Sequence, residues 1–178
     1  MNQPLTRKTL GRTGLEVTNL GYGAMEIRGE PRGREVSDED AGAILNAVLD
    51  AGINFIDTSI DYGRSEELIG EHISHRRSEF YLASKCGCAA TPEAAGEHIF
   101  TRENIVAGVE QSLKRMRTDH LDIVQFHSSP SKTTLDDEDA IQTLLDLKEQ
   151  GKIRFLGSSA TLPNLADHVE MGVFDEFQ

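Results

Sequence analysis

The sequence predicts an α/β protein built on a parallel sheet. Two observations carry that expectation. Short apolar runs at 53–56, 80–83, 121–126 and 153–156 alternate with segments of helical period, the pattern of βα units joined by right-handed crossovers. Polar residues also gather just beyond the apolar runs: Asp57, Lys85, His127, Ser158, Ser159 and Gln178. Successive strands of a parallel sheet point the same way, so these groups meet at one edge, where such folds build their sites.

The elements follow in order. Residues 5–17 read as an N-terminal β-hairpin around a Gly11-Arg-Thr-Gly14 turn. Residues 19–25 form a short strand whose Gly21 and Gly23 permit close backbone approach, and 26–36 are loop. Ser37 caps a helix with Asp38, Glu39 and Asp40 in its first turn, where carboxylates favour exposed N–H groups. Its apolar face is Ile44, Leu45, Val48 and Leu49, and Gly52 stops it. The strand at 53–56 leads into Asp57, Asp61 and Tyr62, and Gly63 closes that loop. A helix follows at 65–73. The strand at 80–83 delivers Ser84 and Lys85, and 86–100 are loop. Thr101 opens a helix carrying Ile105, Val109, Leu113 and Met116 at helical spacing. The strand at 121–126 delivers His127, and 128–137 are loop. Ile141, Leu144 and Leu145 belong to a helix stopped by Gly151, and the strand at 153–156 follows it. A last helix starts near Thr161 and Pro163, turns Leu165 and Val169 inward and ends at Gly172. Residues 173–177 begin one more strand, and the chain ends on Gln178.

With 178 residues, 38% of them hydrophobic, the chain supports one core and a single domain over 1–178. Its net charge of −12 argues against a nucleic-acid or anionic-membrane surface. Cys86 and Cys88 make no disulfide framework and suit a reducing cytosol. No apolar run approaches a membrane span, and the N-terminus has no apolar signal core, so a soluble cytoplasmic protein is expected. No second Cys/His pair has zinc-ligand spacing, so no metal is expected. His72, His75, His98, His120 and His168 read as surface or helix residues.

The strand-end residues fit one chemistry. Tyr62 is a phenol, neutral at pH 7, and can act as a general acid. A neighbouring cation would lower its pKa, and Lys85 can supply that charge with Asp57 as its ion-pair anchor. His127 can donate a hydrogen bond to a substrate carbonyl. The chain has no evident activated nucleophile, so hydride from a bound cofactor completes the scheme.

These residues lie in segments that resemble the aldo-keto reductase superfamily. The segments are Gly52-Ile-Asn-Phe-Ile-Asp-Thr-Ser-Ile-Asp-Tyr-Gly63, Ser65-Glu-Glu-Leu-Ile-Gly70, Ala83-Ser-Lys-Cys-Gly87, Leu121-Asp-Ile-Val-Gln-Phe-His127 and Gly151-Lys-Ile-Arg-Phe-Leu-Gly157. The resemblance covers nearly the whole chain, and together, in this order, the motifs are highly specific. The resemblance implies a (β/α)8 TIM-barrel type of fold that uses NADPH, with NADH open, to reduce an aldehyde or ketone. The family's Asp-Tyr-Lys-His tetrad falls on Asp57, Tyr62, Lys85 and His127. Its nicotinamide-amide contacts fall on Ser159 and Gln178. Gly21, Tyr22 and Gly23 are placed equally well to line a cofactor floor or to pack within their strand. The family's Ser-Asn pair after the fifth strand is Ser159-Ala160 here, which lacks the amide side chain. No G-x-G-x-x-G follows a strand, in keeping with a cofactor held outside a Rossmann fold.

A whole barrel needs eight βα units and about 250 residues, whereas this sequence supplies about six units and is expected to be an incomplete, C-terminally truncated barrel. The resemblance assigns the final strands and most contacts to the cofactor's pyrophosphate and 2′-phosphate to the remaining part. The expected consequences are weak NADPH binding by this chain alone and self-association through open barrel edges. The alternatives are a non-catalytic cofactor-sensing or regulatory subunit, or an inactive truncated product of the same fold.

Overall fold

A computed structural model describes residues 5–30, 33–91, 94 and 96–178. Two short strands, β1 (Arg7–Thr9) and β2 (Glu16–Thr18), pair as an antiparallel hairpin. The expected strand at 19–25 shrinks to β3 (Tyr22–Gly23), and a 3-10 turn at Ala24–Ile27 follows it. Next come α1 (Asp38–Asp50), β4 (Phe55–Asp57), α2 (Ser65–His72), β5 (Tyr81–Cys86) and α3 (Arg102–Arg115). The chain continues through β6 (Leu121–Phe126), α4 (Lys132–Asp137), α5 (Ala140–Glu149), β7 (Ile153–Ser158), α6 (Asn164–Met171) and β8 (Glu176–Phe177). Strands β3 to β8 form one six-stranded parallel sheet in chain order, curled into an incomplete (β/α)8 barrel.

Both faces of the sheet are buried, as parallel sheets require. Outward, Ile56, Leu82, Val124, Phe126 and Leu156 pack under the helices, which contribute Leu45, Leu68, Ile105 and Leu144. Each such side chain stabilises the fold by about 1.5–3 kcal/mol. Ser37 and Thr101 cap α1 and α3 by accepting from Asp40 N and Asn104 N, as their sequences predict. Inward, Ala83 and Ile123 meet Leu15 and Val17 of the hairpin. The hairpin therefore plugs the N-terminal end of the curl. It is held on one side by Asn54, whose Oδ1 accepts from Thr18 N at 2.7 Å. On the other side Arg12 donates to the carbonyls of Gly172 and Phe174 at 2.7 and 2.5 Å.

Three expectations need correction. The loop expected at 128–137 contains α4, which Ser131 caps by accepting from Thr134 N; its only buried apolar side chain, Leu135, is too thin a signal for a periodicity reading. Val169, read as inward on α6, is 55% exposed, whereas His168, read as a surface or helix residue, is a helix residue that is fully buried. His168 is satisfied by polar partners, Ser158 Oγ at 2.7 Å and the Pro130 carbonyl at 2.8 Å, so a polar group takes the position that the apolar rule assigned to its neighbour.

Candidate active site

Four of the predicted residues converge at the carboxyl ends of the strands. The β4 strand ends at Asp57, in register with Gly23 on one side and Ala83 on the other. The chain then turns tightly, with Tyr62 N donating to Ser59 O at 3.1 Å. Thr58 and Ser65 hydroxyls meet at 2.8 Å, and Ser65 donates onward to Ala24 O, which locks this loop to the next helix. Gly63 has φ +48°, and a Cβ there would stand 2.3 Å from Arg28 O. Only glycine fits that approach, which sets where Tyr62 stands.

Lys85 projects inward from β5 and is 3% exposed. Its Nζ donates to Asp57 Oδ1 at 2.6 Å and to Thr58 O at 2.9 Å, and it lies 5.1 Å from the centre of the Tyr62 ring. His127, carried just past β6, meets the Tyr62 ring edge-on at 6.1 Å. Burial raises the Asp57 carboxyl above its usual value, and the attraction of Lys85 offsets part of that rise. The Gln178 side chain also favours the charged form, although Asp57 Oδ2 has no partner at hydrogen-bonding geometry among the described residues. Tyr62 departs from expectation. Its pKa is raised: burial outweighs the lowering by Lys85, and Asp57 and Asp61 add to the rise. Burial therefore keeps the phenol a protonated donor.

Ser159, whose N donates to Phe126 O at 3.0 Å, and Gln178 also lie at the strands' carboxyl ends. Gln178 N donates to Ser158 O at 3.0 Å, and Ala160 N donates to Gln178 O at 3.2 Å. The position that lacks the expected amide side chain thus contributes through its backbone. Gly23 lies beside Asp57, and a Cβ there would have no heavy atom within 4 Å. A cleft of about 450 Å³ opens at the opposite end of the sheet, among Arg7, Asn54, Phe80 and Tyr81, away from all of these groups.

The sequence reading missed several neighbours. Gln125 and Glu176 extend the inner polar layer below Lys85, with Gln125 Nε2 donating to Glu176 Oε2 at 3.1 Å. A Cβ on Gly157 would stand 2.6 Å from Glu176 and 2.8 Å from Gln125, so glycine makes room for this pair. Of the two polar residues in the 121–126 strand, Asp122 and Gln125, Gln125 is the one at the same parity as His127, a signal available from the sequence. Asp61, read as a plain loop residue, lies 3.7 Å from His127 Nδ1 and accepts from Ser59 Oγ at 2.6 Å. Cys88 Sγ lies 3.1 Å from the same nitrogen, and burial pushes its thiol up to about 12.

A curled parallel sheet with its polar groups gathered at the strands' carboxyl ends defines a (β/α)-barrel protein with its candidate site at that rim. The chain belongs to the aldo/keto reductase family, whose model matches residues 19–174. It is 30% identical over 164 residues to an uncharacterized oxidoreductase, YqkF, of Bacillus subtilis (strain 168), covering 90% of this chain and 51% of that protein. It is 31% identical over 157 residues to a probable voltage-gated potassium channel subunit beta of Oryza sativa subsp. japonica, covering 85% of this chain and 45% of that protein. The structure superposes on the holo form of aldo-keto reductase AKR11C1 from Bacillus halodurans with a TM-score of 0.83 and 27% identity, covering 98% of this chain and 57% of that one. The chain thus spans about half the length of the curated relatives it matches. Among the described residues, no helix is long and apolar enough to cross a membrane.

Proposed function

We propose that this chain carries the catalytic tetrad of an NADPH-dependent reductase that converts an aldehyde or ketone to an alcohol. The observation that carries this reading is the buried Lys85–Asp57 pair beneath a half-buried Tyr62, with His127 at the edge of the tyrosine ring. A buried ion pair is a poor stabiliser compared with apolar packing, so its presence at a strand-end rim favours a functional role. The rim suits a nicotinamide cofactor: among the described residues Asp57 Oδ2 and Gln125 Oε1 are buried acceptors with no partner at hydrogen-bonding geometry, Gly23 keeps its side of the rim open, and Ser159 and Gln178 flank the other side. When bound, that cofactor supplies hydride to the carbonyl carbon.

The chain's own residues do the rest. Tyr62 holds its proton at Oη and gives it to the developing alkoxide. Lys85 stabilises the resulting phenolate, and Asp57 keeps the Lys85 ammonium in place. The Cys88 thiol, neutral at pH 7, donates to His127 Nδ1 and leaves the imidazole proton on Nε2, available to the substrate oxygen. Free buried thiols and a net charge of −12 support a reducing cytoplasm, a small-molecule partner and no nucleic acid.

The test is NADPH oxidation against a panel of aldehydes and ketones by the protein in its longest natural form. Tyr62→Phe should lower kcat by about 10²–10⁴ while cofactor binding holds. The second reading is a non-catalytic cofactor-sensing or regulatory subunit; the similarity to a probable voltage-gated potassium channel subunit beta fits it weakly, and turnover that ignores Tyr62→Phe would favour it.

A further inference from the structure

We propose that Cys88, His98 and His127 form a three-ligand binding site, its fourth position left to solvent, for a thiophilic divalent cation of the zinc class at the barrel rim. The ligand atoms of Cys88, His98 and His127 all lie within 4.8 Å of one another. The fold builds this cluster from separate elements. Cys88 and His98 face each other across an antiparallel bridge that closes the loop after β5. Two backbone bonds flank that bridge, Ala89 N to Glu97 O at 3.0 Å and Ile99 N to Gly87 O at 2.6 Å. Asn104, in the first turn of α3, ties both arms down: its Nδ2 donates to Cys88 O at 3.0 Å and to Ile99 O at 2.7 Å. The end of β6 then brings His127 Nδ1 to 3.1 Å from Cys88 Sγ, with the two imidazole rings 5.3 Å apart. Asp61 Oδ1 stands 3.7 Å from the same Nδ1.

The donor set decides the ion. One sulfur and two imidazole nitrogens match zinc and its neighbours, not magnesium or calcium, which take oxygen cages. Zinc bonds of about 2.0–2.3 Å in a tetrahedron place ligand atoms about 3.3–3.6 Å apart. The cluster therefore closes with a contraction of about an ångström, which His98, the exposed member, can supply. Binding forms the metal–sulfur and metal–nitrogen bonds and releases the Cys88 thiol proton to solvent. A plain thiol–imidazole hydrogen bond accounts for Cys88 and His127 but leaves His98, aligned by the bridge, without a role. No ligand-spacing motif marks the site, because its members come from two arms of one loop and the end of a strand. The site stands on this geometry and is independent of the reductase reading.

The experiment is equilibrium titration of the reduced, chelator-treated 178-residue chain with Co²⁺, followed by Zn²⁺ competition. One ion per chain is expected, with a thiolate-to-cobalt charge-transfer band and the intense visible bands of four-coordinate cobalt, both erased by Zn²⁺. Cys88→Ser should remove the charge-transfer band. His98→Ala, at an exposed position that does not threaten folding, should weaken binding at least about tenfold. Circular dichroism confirms that each variant is folded. A cobalt spectrum without the charge-transfer band would overturn the proposal and leave Cys88 as a hydrogen-bond donor only. Affinity unchanged by His98→Ala would overturn it equally.

Discussion

Glu176 shows how much one inward-facing side chain can change. It is buried on β8 beside Gln125, and desolvation raises its carboxyl from 4.5 to about 7, with Asp57 adding to the rise and Lys85 opposing it. Between about pH 4.5 and about 7 the folded chain keeps a proton that the unfolded chain has already lost. Stability therefore falls as pH rises through that window and levels off above it. Urea unfolding across this range should show that Glu176→Gln removes roughly 3 kcal/mol or slightly more of the fall. A variant with the same pH slope as the parent would sink the assignment. At this scale Asp57, Tyr62, Lys85 and His127 were legible because each interrupts or ends an apolar run. Glu176 was not, because its burial depends on facing Gln125 across the curl. The raised pKa of Tyr62 was misread for the same kind of reason: charge neighbours can be guessed from a sequence, but the degree of burial that outweighs them cannot.

At the scale of elements, α6 is the instructive case. Its sequence offers Leu165 and Val169 as an apolar face, yet the residue it buries is His168. That ring joins β7, through Ser158 Oγ, to the loop after β6, through Pro130 O. His168→Ala would leave both partners buried without a bond. The expected cost is about 2–3 kcal/mol in urea or thermal unfolding, and a loss below about 0.5 kcal/mol would show that solvent replaces the ring. The glycine stops, the Ser37 and Thr101 caps and the alternation of strands with helices were readable, because each is local backbone chemistry. The α4 turn, with Leu135 as its one buried residue, and the bridge that pairs Cys88 with His98 were not, because neither carries a periodic apolar signal.

Over the whole molecule, the hairpin does more than its length suggests. By bonding to Asn54 beside β4 and to the backbone before β8, it spans the N-terminal end of the curl. Among the described residues, β3 and β8 are the edges of the sheet, and Leu20 and Phe177 are exposed large apolar residues close to them. Unpaired strand edges with apolar neighbours template association. Sedimentation velocity of the 178-residue chain should therefore show a mean mass that rises with concentration. A monomer at every concentration tested would count against exposed-edge pairing.

The sequence by itself determined the α/β class, the order of the βα units, the family and the strand-end residues that the site gathers. Those properties follow from period, capping and short contiguous motifs, which are local in the chain. Only the tertiary structure decided that Lys85 is sealed onto Asp57, that Gln125 and Glu176 line the interior, that His168 is core and that Cys88 and His98 converge on His127. Each of these depends on burial and on contacts between distant segments. The energy of a charge or a hydrogen bond is set by what surrounds it once the sheet has curled, and a linear order of residues does not contain that quantity.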